Sequence, residues 1–162
     1  MVMTDSNRIR FLALAPVVFL AHVAEEAQGF LEWFNRHAEP DLSMDSFVAI
    51  NAIGLFITVM MTVFCIRSRN LLSALSLTAW LSFLMLANGT LHILASLIFN
   101  EYVPGTVTAG IFYLPYFIAA SITIRRIFKV RPLAIVLASV IGAIPMFVQG
   151  ASIFMMGRRI LW

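Results

Sequence analysis

The sequence predicts an all-α protein, a polytopic membrane bundle of about five transmembrane helices in which residues 1–162 form a single integral membrane domain. Of the 162 residues, 61% are hydrophobic and only 12% are charged, which is outside the range of soluble domains. The apolar residues form long segments in which polar and apolar positions do not alternate. Because a bilayer offers no water to backbone amides, such segments cross it as helices.

Five apolar segments are long enough to cross about 30 Å of hydrocarbon, which takes about 20 helical residues. They are residues 9–30, 46–66, 71–99, 106–124 and 132–156. In the first segment, the uninterrupted apolar run of residues 11–21 supplies only about 16 Å at helical rise. The first helix must therefore continue through the polar residues that follow. Pro115, and Gly142 with Pro145, predict kinks in the fourth and fifth spans.

Basic residues lie before the first span and in every second loop, and acidic residues dominate the other loops. The basic set is Arg8, Arg10, Arg67, Arg69, Arg125, Arg126, Lys129 and Arg131, and the acidic set is Glu32, Glu39, Asp41, Asp45 and Glu101, with Arg36 among them. This pattern predicts a cell (plasma or inner) membrane protein with a cytoplasmic N-terminus. Arg158 and Arg159 then fall outside. Either this short tail tolerates that side or the last span is broken at its Gly and Pro residues, and the full length of the segment favours the first.

The formal net charge of +3 is explained by these loops, so we expect the lipid bilayer as a partner and no nucleic acid. Cys65 is the only cysteine, and one chain can therefore build neither a disulfide nor a cysteine-based metal site. A homo-oligomer remains an open alternative.

The stretch FLAHVAEEA, residues 19–27, places a histidine and two acids near the end of the first span. On a helix, Glu26 lies about 40° to one side of His22, and Glu25 lies about 60° to the other. A charged acid costs about 2.5–3.5 kcal/mol at the bilayer centre on insertion scales, and less toward the ends. The helix therefore needs a compensating partner.

Other polar residues in the predicted spans lie at a similar depth. Asn88 and His92 are four residues apart and share a helix face. Measured from the nearest cytoplasmic arginine, Glu26, Asn51, Asn88, His92 and Gln149 all come out roughly 24–34 Å higher. Polar residues in spans normally face the bundle interior and find each other. The sequence thus predicts one polar site that opens toward the outer face.

Three motifs also resemble a known family. His22-Val-Ala-Glu25-Glu26 is similar to the signature of the HXXEE family of small bacterial integral membrane proteins, and His92 and Tyr102-Val-Pro104-Gly105 stand where a second histidine and a Tyr-x-Pro-Gly motif of that family fall. The family has no assigned reaction. The resemblance therefore supports the site residues only, with Tyr102 as a hydroxyl donor that joins Asn51 and Asn88 in a supporting role.

Imidazole and carboxylate form a nitrogen and oxygen ligand set that suits zinc, iron or manganese. His22, Glu26 and His92 would supply three ligands to one divalent transition metal and leave an open position, as in catalytic sites. The acids Glu25 and Glu26 are the candidate catalytic residues, since the one that does not bind metal could act as a general base. This predicts metal-assisted hydrolysis on a small apolar or lipid-like substrate.

Two alternatives stay open. Without metal, a protonated histidine beside a carboxylate could move protons on an isoprenoid or sterol-like lipid. The same groups could instead form a structural latch in a non-catalytic or small-molecule-binding protein. A transporter is less favoured, because the inner half of the spans offers no ionisable residues to continue a path. Trp33 and Phe34 predict a short amphipathic segment on the outer surface, where His37 is interpreted as a solvated loop residue.

Overall fold

The computed structural model describes residues 5–38 and 41–160, with side chains described for residues 7–38 and 41–152. Glu39 and the side chains of Arg158 and Arg159 lie outside this part. The described residues are helical and contain no strand, which confirms the all-α fold. The helices are α1 (Asp5–Leu12), α2 (Ala15–Glu26), α3 (Phe30–His37), α4 (Met44–Ser68), α5 (Leu71–Phe99), α6 (Thr106–Phe128) and α7 (Pro132–Ile160).

Four of these helices are long and apolar enough to cross a membrane, namely α4, α5, α6 and the part of α7 at Pro132–Ser152. Each coincides with a predicted span. The helix α7 is continuous through Pro145, as the full length of the last segment predicts. In α6, Pro115 lies two residues after a π-helical turn at Ala109–Tyr113, and α5 holds a second π-helical turn at Ser82–Ala87.

The first predicted span differs from expectation, because it is two helices, α1 and α2, with a turn between them. Pro16 explains the break, since it has no backbone N–H to donate to the carbonyl four residues earlier. The Tyr116 hydroxyl donates to that carbonyl, on Leu12, at 3.0 Å, and lies 3.1 Å from the Phe11 carbonyl. A side chain of α6 thus satisfies the backbone that proline leaves unpaired, as a membrane interior requires.

Helix α5 is the centre of the bundle. It packs against α4, α6 and α7, while α2 packs against α4 and α6 and α1 lies against α6. The main core joins side chains of α1, α2, α5 and α6, and its buried members include Leu12, Phe19, Leu77, Leu81, Met85, Phe117 and Ile124. This arrangement brings the polar end of α2 beside the end of α5 and the start of α6.

The short helix α3 turns its aromatic face into the protein. Trp33 is only 4% exposed and packs with Ala95 and Val103, so the predicted surface segment is in part buried. The helix begins after Gly29, which has a positive φ of 153°. Because α3 also contacts α7, it closes one end of the bundle.

Candidate functional site

His22, Glu26 and His92 meet in the interior, as the sequence predicts. The His92 Nε2 atom lies 2.9 Å from Glu26 Oε1, and the His22 Nε2 atom lies 3.4 Å from the same oxygen. One ligand atom from each residue lies within 4.8 Å of the others. The three residues are 1%, 6% and 4% exposed. We call them the buried triad.

A contact on the Nδ1 side of the ring fixes the orientation of His22. Its Nδ1 atom lies 2.8 Å from the Thr108 hydroxyl, which donates its own hydrogen to the Gly105 carbonyl at 3.3 Å. On this basis we assign the hydrogen of neutral His22 to Nδ1, with the hydroxyl as its acceptor, so that the lone pair lies on Nε2. That nitrogen is buried and makes no hydrogen bond within the described residues.

Gly105 packs directly against the two imidazoles. A Cβ atom there would lie 2.7 Å from His92 and 3.0 Å from His22, and the residue has a φ of 104°. Glycine is required twice over, because a side chain would overlap the rings and because other residues rarely adopt this φ. The loop of residues 102–105 is therefore a wall of the site as well as the turn that its sequence predicts.

Glu25 does not join the triad, although the sequence places it on the same face as His22. Its carboxylate accepts hydrogen bonds from the backbone N–H groups of Val107 at 3.1 Å and Thr108 at 2.7 Å, at the start of α6. The Tyr102 hydroxyl donates to it at 2.5 Å, which raises the pKa of Tyr102 to about 12. A carboxylate at a helix N-terminus is favourable for both hydrogen bonding and the helix dipole. Glu25 and Tyr102 thus anchor the loop and α6, and neither lines the cavity described below.

These contacts explain why three separate motifs belong together, and the comparison with protein families agrees. A family model described as a protein of unknown function with HXXEE motif matches residues 13–120. The chain belongs to the HXXEE family. Neither among curated proteins nor among solved structures was a match found. The matched range contains the HXXEE motif, His92 and the Tyr-x-Pro-Gly loop, and it ends before α7.

The buried triad lines a cavity of about 470 Å³. Its floor is one stripe of α5, and further walls come from α2, α3, α4 and α7. Asn51, Asn88 and Gln149 all line it, so the sequence-predicted polar positions do share one space. The Asn51 amide already donates to the Phe47 carbonyl at 3.0 Å, whereas Asn88 Oδ1 is buried without a partner among the described residues.

Three residues that the sequence interpretation missed complete the site. Tyr113 stacks on His22 with ring centroids 3.9 Å apart, and its buried hydroxyl has no partner among the described residues. Thr108 and Gly105 hold His22 as described above. Tyr113 and Thr108 look like ordinary span residues in the sequence, and the only available signal was their position just after the Tyr-x-Pro-Gly motif.

His37 is not a solvated loop residue, which corrects the interpretation from the sequence. It lies at the end of α3, stacks on Trp33, and has its Nδ1 atom 2.8 Å from the Trp33 carbonyl. Its Nε2 atom lies 3.2 Å from Glu101 Oε1. Nothing in the amino-acid sequence suggests that His37 pairs with Glu101, because 64 positions separate the two residues.

Proposed function

We propose that His22, Glu26 and His92 hold one divalent transition metal (zinc, iron or manganese) and that the protein carries out hydrolysis or proton transfer on a small apolar or lipid-like substrate in the adjoining cavity. The observation that carries this proposal is the buried Nε2 atom of His22, which faces a carboxylate oxygen at 3.4 Å without a hydrogen bond.

That arrangement needs a positive charge. With the Nδ1 hydrogen directed to Thr108, neutral His22 presents a lone pair to the lone pairs of Glu26. Two buried acceptors that face each other repel, and buried polar atoms without partners are rare in proteins. A metal ion or a proton between the two atoms removes the repulsion.

The ligand set fits a metal in type and in spacing. Zinc bonds to nitrogen and oxygen of about 2.0–2.2 Å put two ligands of one ion at most ~4.4 Å apart. The two distances to Glu26, 3.4 Å and 2.9 Å, fall inside this limit, and all three ligand atoms lie within 4.8 Å of one another. The Thr108 contact to Nδ1 of His22 is the kind of outer hydrogen bond that orients metal-binding histidines. Three protein ligands leave a position at which a metal acts as a Lewis acid.

The cavity supports an apolar or lipid-like substrate. Its volume of about 470 Å³ lies in the usual range for small-molecule sites, about 300–1,000 Å³. Aromatic and aliphatic side chains line most of it, among them Phe19, Phe30, Trp80, Phe83 and Leu84. Glu26 is the carboxylate that borders this space, so it is assigned proton transfer as well as binding, and Glu25 is assigned the positioning of the Thr108 backbone.

A second candidate is a latch without metal. The 2.9 Å contact between Glu26 and His92 joins α2 to α5, and a protonated His22 would meet the need for positive charge. In this case the residues stabilise the bundle, and the cavity binds a molecule without chemistry or with acid and base chemistry alone.

Metal analysis of the purified protein in detergent separates the two candidates. We expect about one transition metal ion per chain for the natural sequence, and a near-complete loss for His22→Ala, Glu26→Gln and His92→Ala. His37→Ala is the matched control, because it removes a histidine outside the triad. It should keep the metal.

Cobalt(II) titration of the metal-stripped protein adds a spectroscopic test. Bound cobalt should give visible absorption bands that depend on His92 and do not depend on His37. A folded natural protein that contains no metal and gives no cobalt bands would overturn the metal site and favour the latch. Equal metal loss in His37→Ala would also contradict the assignment.

A further inference from the structure

We infer that the cavity binds a single-chain lipid that bears a hydroxyl group, with the hydroxyl near Asn88 and Tyr113 and the chain along the apolar side chains around Phe19, Trp80 and Phe83. This inference names the substrate class for the proton-transfer form of the site proposed above, since an alcohol has no bond to hydrolyse, and it rests on that proposal for the chemistry. Two unpaired polar atoms and the layout of the cavity carry it.

The polar side chains lie within an otherwise apolar lining. On α5, His92 and Asn88 are followed at successive turns by Leu84 and Trp80, and on α2 Glu26 and His22 are followed by Phe19 in the same direction. On the other side of the triad the lining is again apolar and includes aromatic residues of α3. A ligand that matches these walls has a polar head near the triad and an apolar chain.

Two atoms beside the triad call for a hydroxyl in particular. Asn88 Oδ1 is a buried acceptor, and the Tyr113 hydroxyl is a buried group that can donate; neither has a partner among the described residues. Both residues line the same cavity. An alcohol donates one hydrogen bond and accepts another, so a hydroxyl group in this cavity offers each of the two atoms the kind of partner that it lacks.

Several residues that line the cavity are also exposed on the surface of the helix bundle. Ile50 and Ile53 of α4 line the cavity and are each 59% exposed, and the lining residue Gln149 of α7 is also exposed. Both helices pack on α5, and the apolar lining continues outward between them. A chain that already lies in the hydrocarbon can therefore move into the cavity without crossing water.

Photo-crosslinking tests this inference on the full-length protein in nanodiscs. The probe is a long-chain primary alcohol with a diazirine in its chain, and the matched probe is its methyl ether, which accepts but cannot donate a hydrogen bond. We expect the alcohol to label residues around Phe19, Trp80 and Phe83 at least about five-fold more than the ether, as one hydrogen bond to a buried acceptor implies.

Two pairs of variants locate the effect. Tyr113→Phe should reduce labelling by both probes several-fold, because the oxygen of each probe accepts from the Tyr113 hydroxyl. Tyr116→Phe, whose hydroxyl binds the backbone of the α1–α2 turn, should reduce neither. Ile53→Trp should slow labelling, whereas Ile141→Trp should not, because Ile141 is similarly exposed and does not line the cavity.

The outcomes are separate from those of the metal analysis. Equal labelling by alcohol and ether, or labelling that Tyr113→Phe leaves unchanged, would overturn the hydroxyl assignment even if the triad holds metal. Selective labelling by the alcohol in a protein without metal would support the hydroxyl site and overturn the metal proposal alone.

Discussion

Two histidine and glutamate clusters in this protein share a local arrangement and differ in burial. In the buried triad and in the pair of His37 with Glu101, the Nδ1 side of an imidazole meets an oxygen at 2.8 Å, and its Nε2 atom faces a carboxylate at 3.4 Å or 3.2 Å. The His37 and Glu101 side chains are 20% and 33% exposed. Although Glu101 Oε1 is itself buried, Glu101 Oε2 lies 4.0 Å from the exposed guanidinium of Arg36. Neighbouring charge and water therefore partly compensate this pair, as at a protein surface.

The triad has no such access to water. A buried charged group must be paired within the protein, and its removal leaves the partner uncompensated. The same two residue types therefore form a marginal contact at the surface and, inside, a contact that a proton or a bound cation would stabilise. Burial, rather than residue type, distinguishes the candidate site from its surface counterpart.

The largest expected difference is in stability. Glu26→Ala should cost about 3–5 kcal/mol of unfolding free energy, because it leaves two imidazoles unpaired in the interior. Glu101→Ala should cost about 0–1 kcal/mol, because its pair is partly solvated. Denaturation in mixed micelles, followed by tryptophan fluorescence, measures both. Similar losses in the two variants would contradict the comparison.

A smaller effect is expected from the two glycines with positive φ. Gly105→Ala should cost about 1–3 kcal/mol through backbone strain and should also impair metal binding, since the new methyl group meets both imidazoles of the triad. Gly29→Ala introduces similar backbone strain before α3, but its Cβ atom would meet only Pro104, at 3.5 Å. It should lower stability and keep the metal. If both variants bind metal normally, Gly105 does not shape the site.

The smallest effect concerns Tyr102, which lies in the loop beside Glu101. Its pKa is raised to about 12, mainly by the hydrogen bond to Glu25, from an ordinary value of about 10. The folded state favours the protonated phenol, so this contribution to stability is present below about pH 10 and is lost as the pH rises to about 12.

Ultraviolet titration of tyrosinate measures this shift as the difference between the natural protein and Tyr102→Phe. Glu25→Gln should return the pKa of Tyr102 toward about 10. A Tyr102 that titrates at about 10 in the natural protein would show that the Glu25 anchor does not form.

Several features of the site could be predicted from the sequence because they depend on helical geometry alone. A rise of about 1.5 Å per residue was enough to predict that Glu26 and His92 lie in the same half of the bundle, and the spacing of four put Asn88 one turn from His92. Composition and segment length sufficed for the long helices. The choice between Glu25 and Glu26 could not be made this way, because both lie within about 60° of His22.

The backbone N–H groups of Val107 and Thr108, at the start of α6, bind the Glu25 carboxylate. Glu26 is therefore the acid that lines the cavity. Similarly, Pro16 indicates where the first span can break. Only the position of Tyr116 shows which group hydrogen-bonds to the carbonyl that the proline leaves without a partner. The pairing of His37 with Glu101 and the stacking of Tyr113 on His22 depend on contacts between distant segments.

The amino-acid sequence by itself determined the helical class and the motifs that meet, because these follow from hydropathy and from the fixed rise and turn of a helix. Only the tertiary structure decided which polar atoms are paired and which stay unpaired beside a cavity. The reason is that hydrogen bonding and burial depend on neighbours that the order of residues along the chain does not specify.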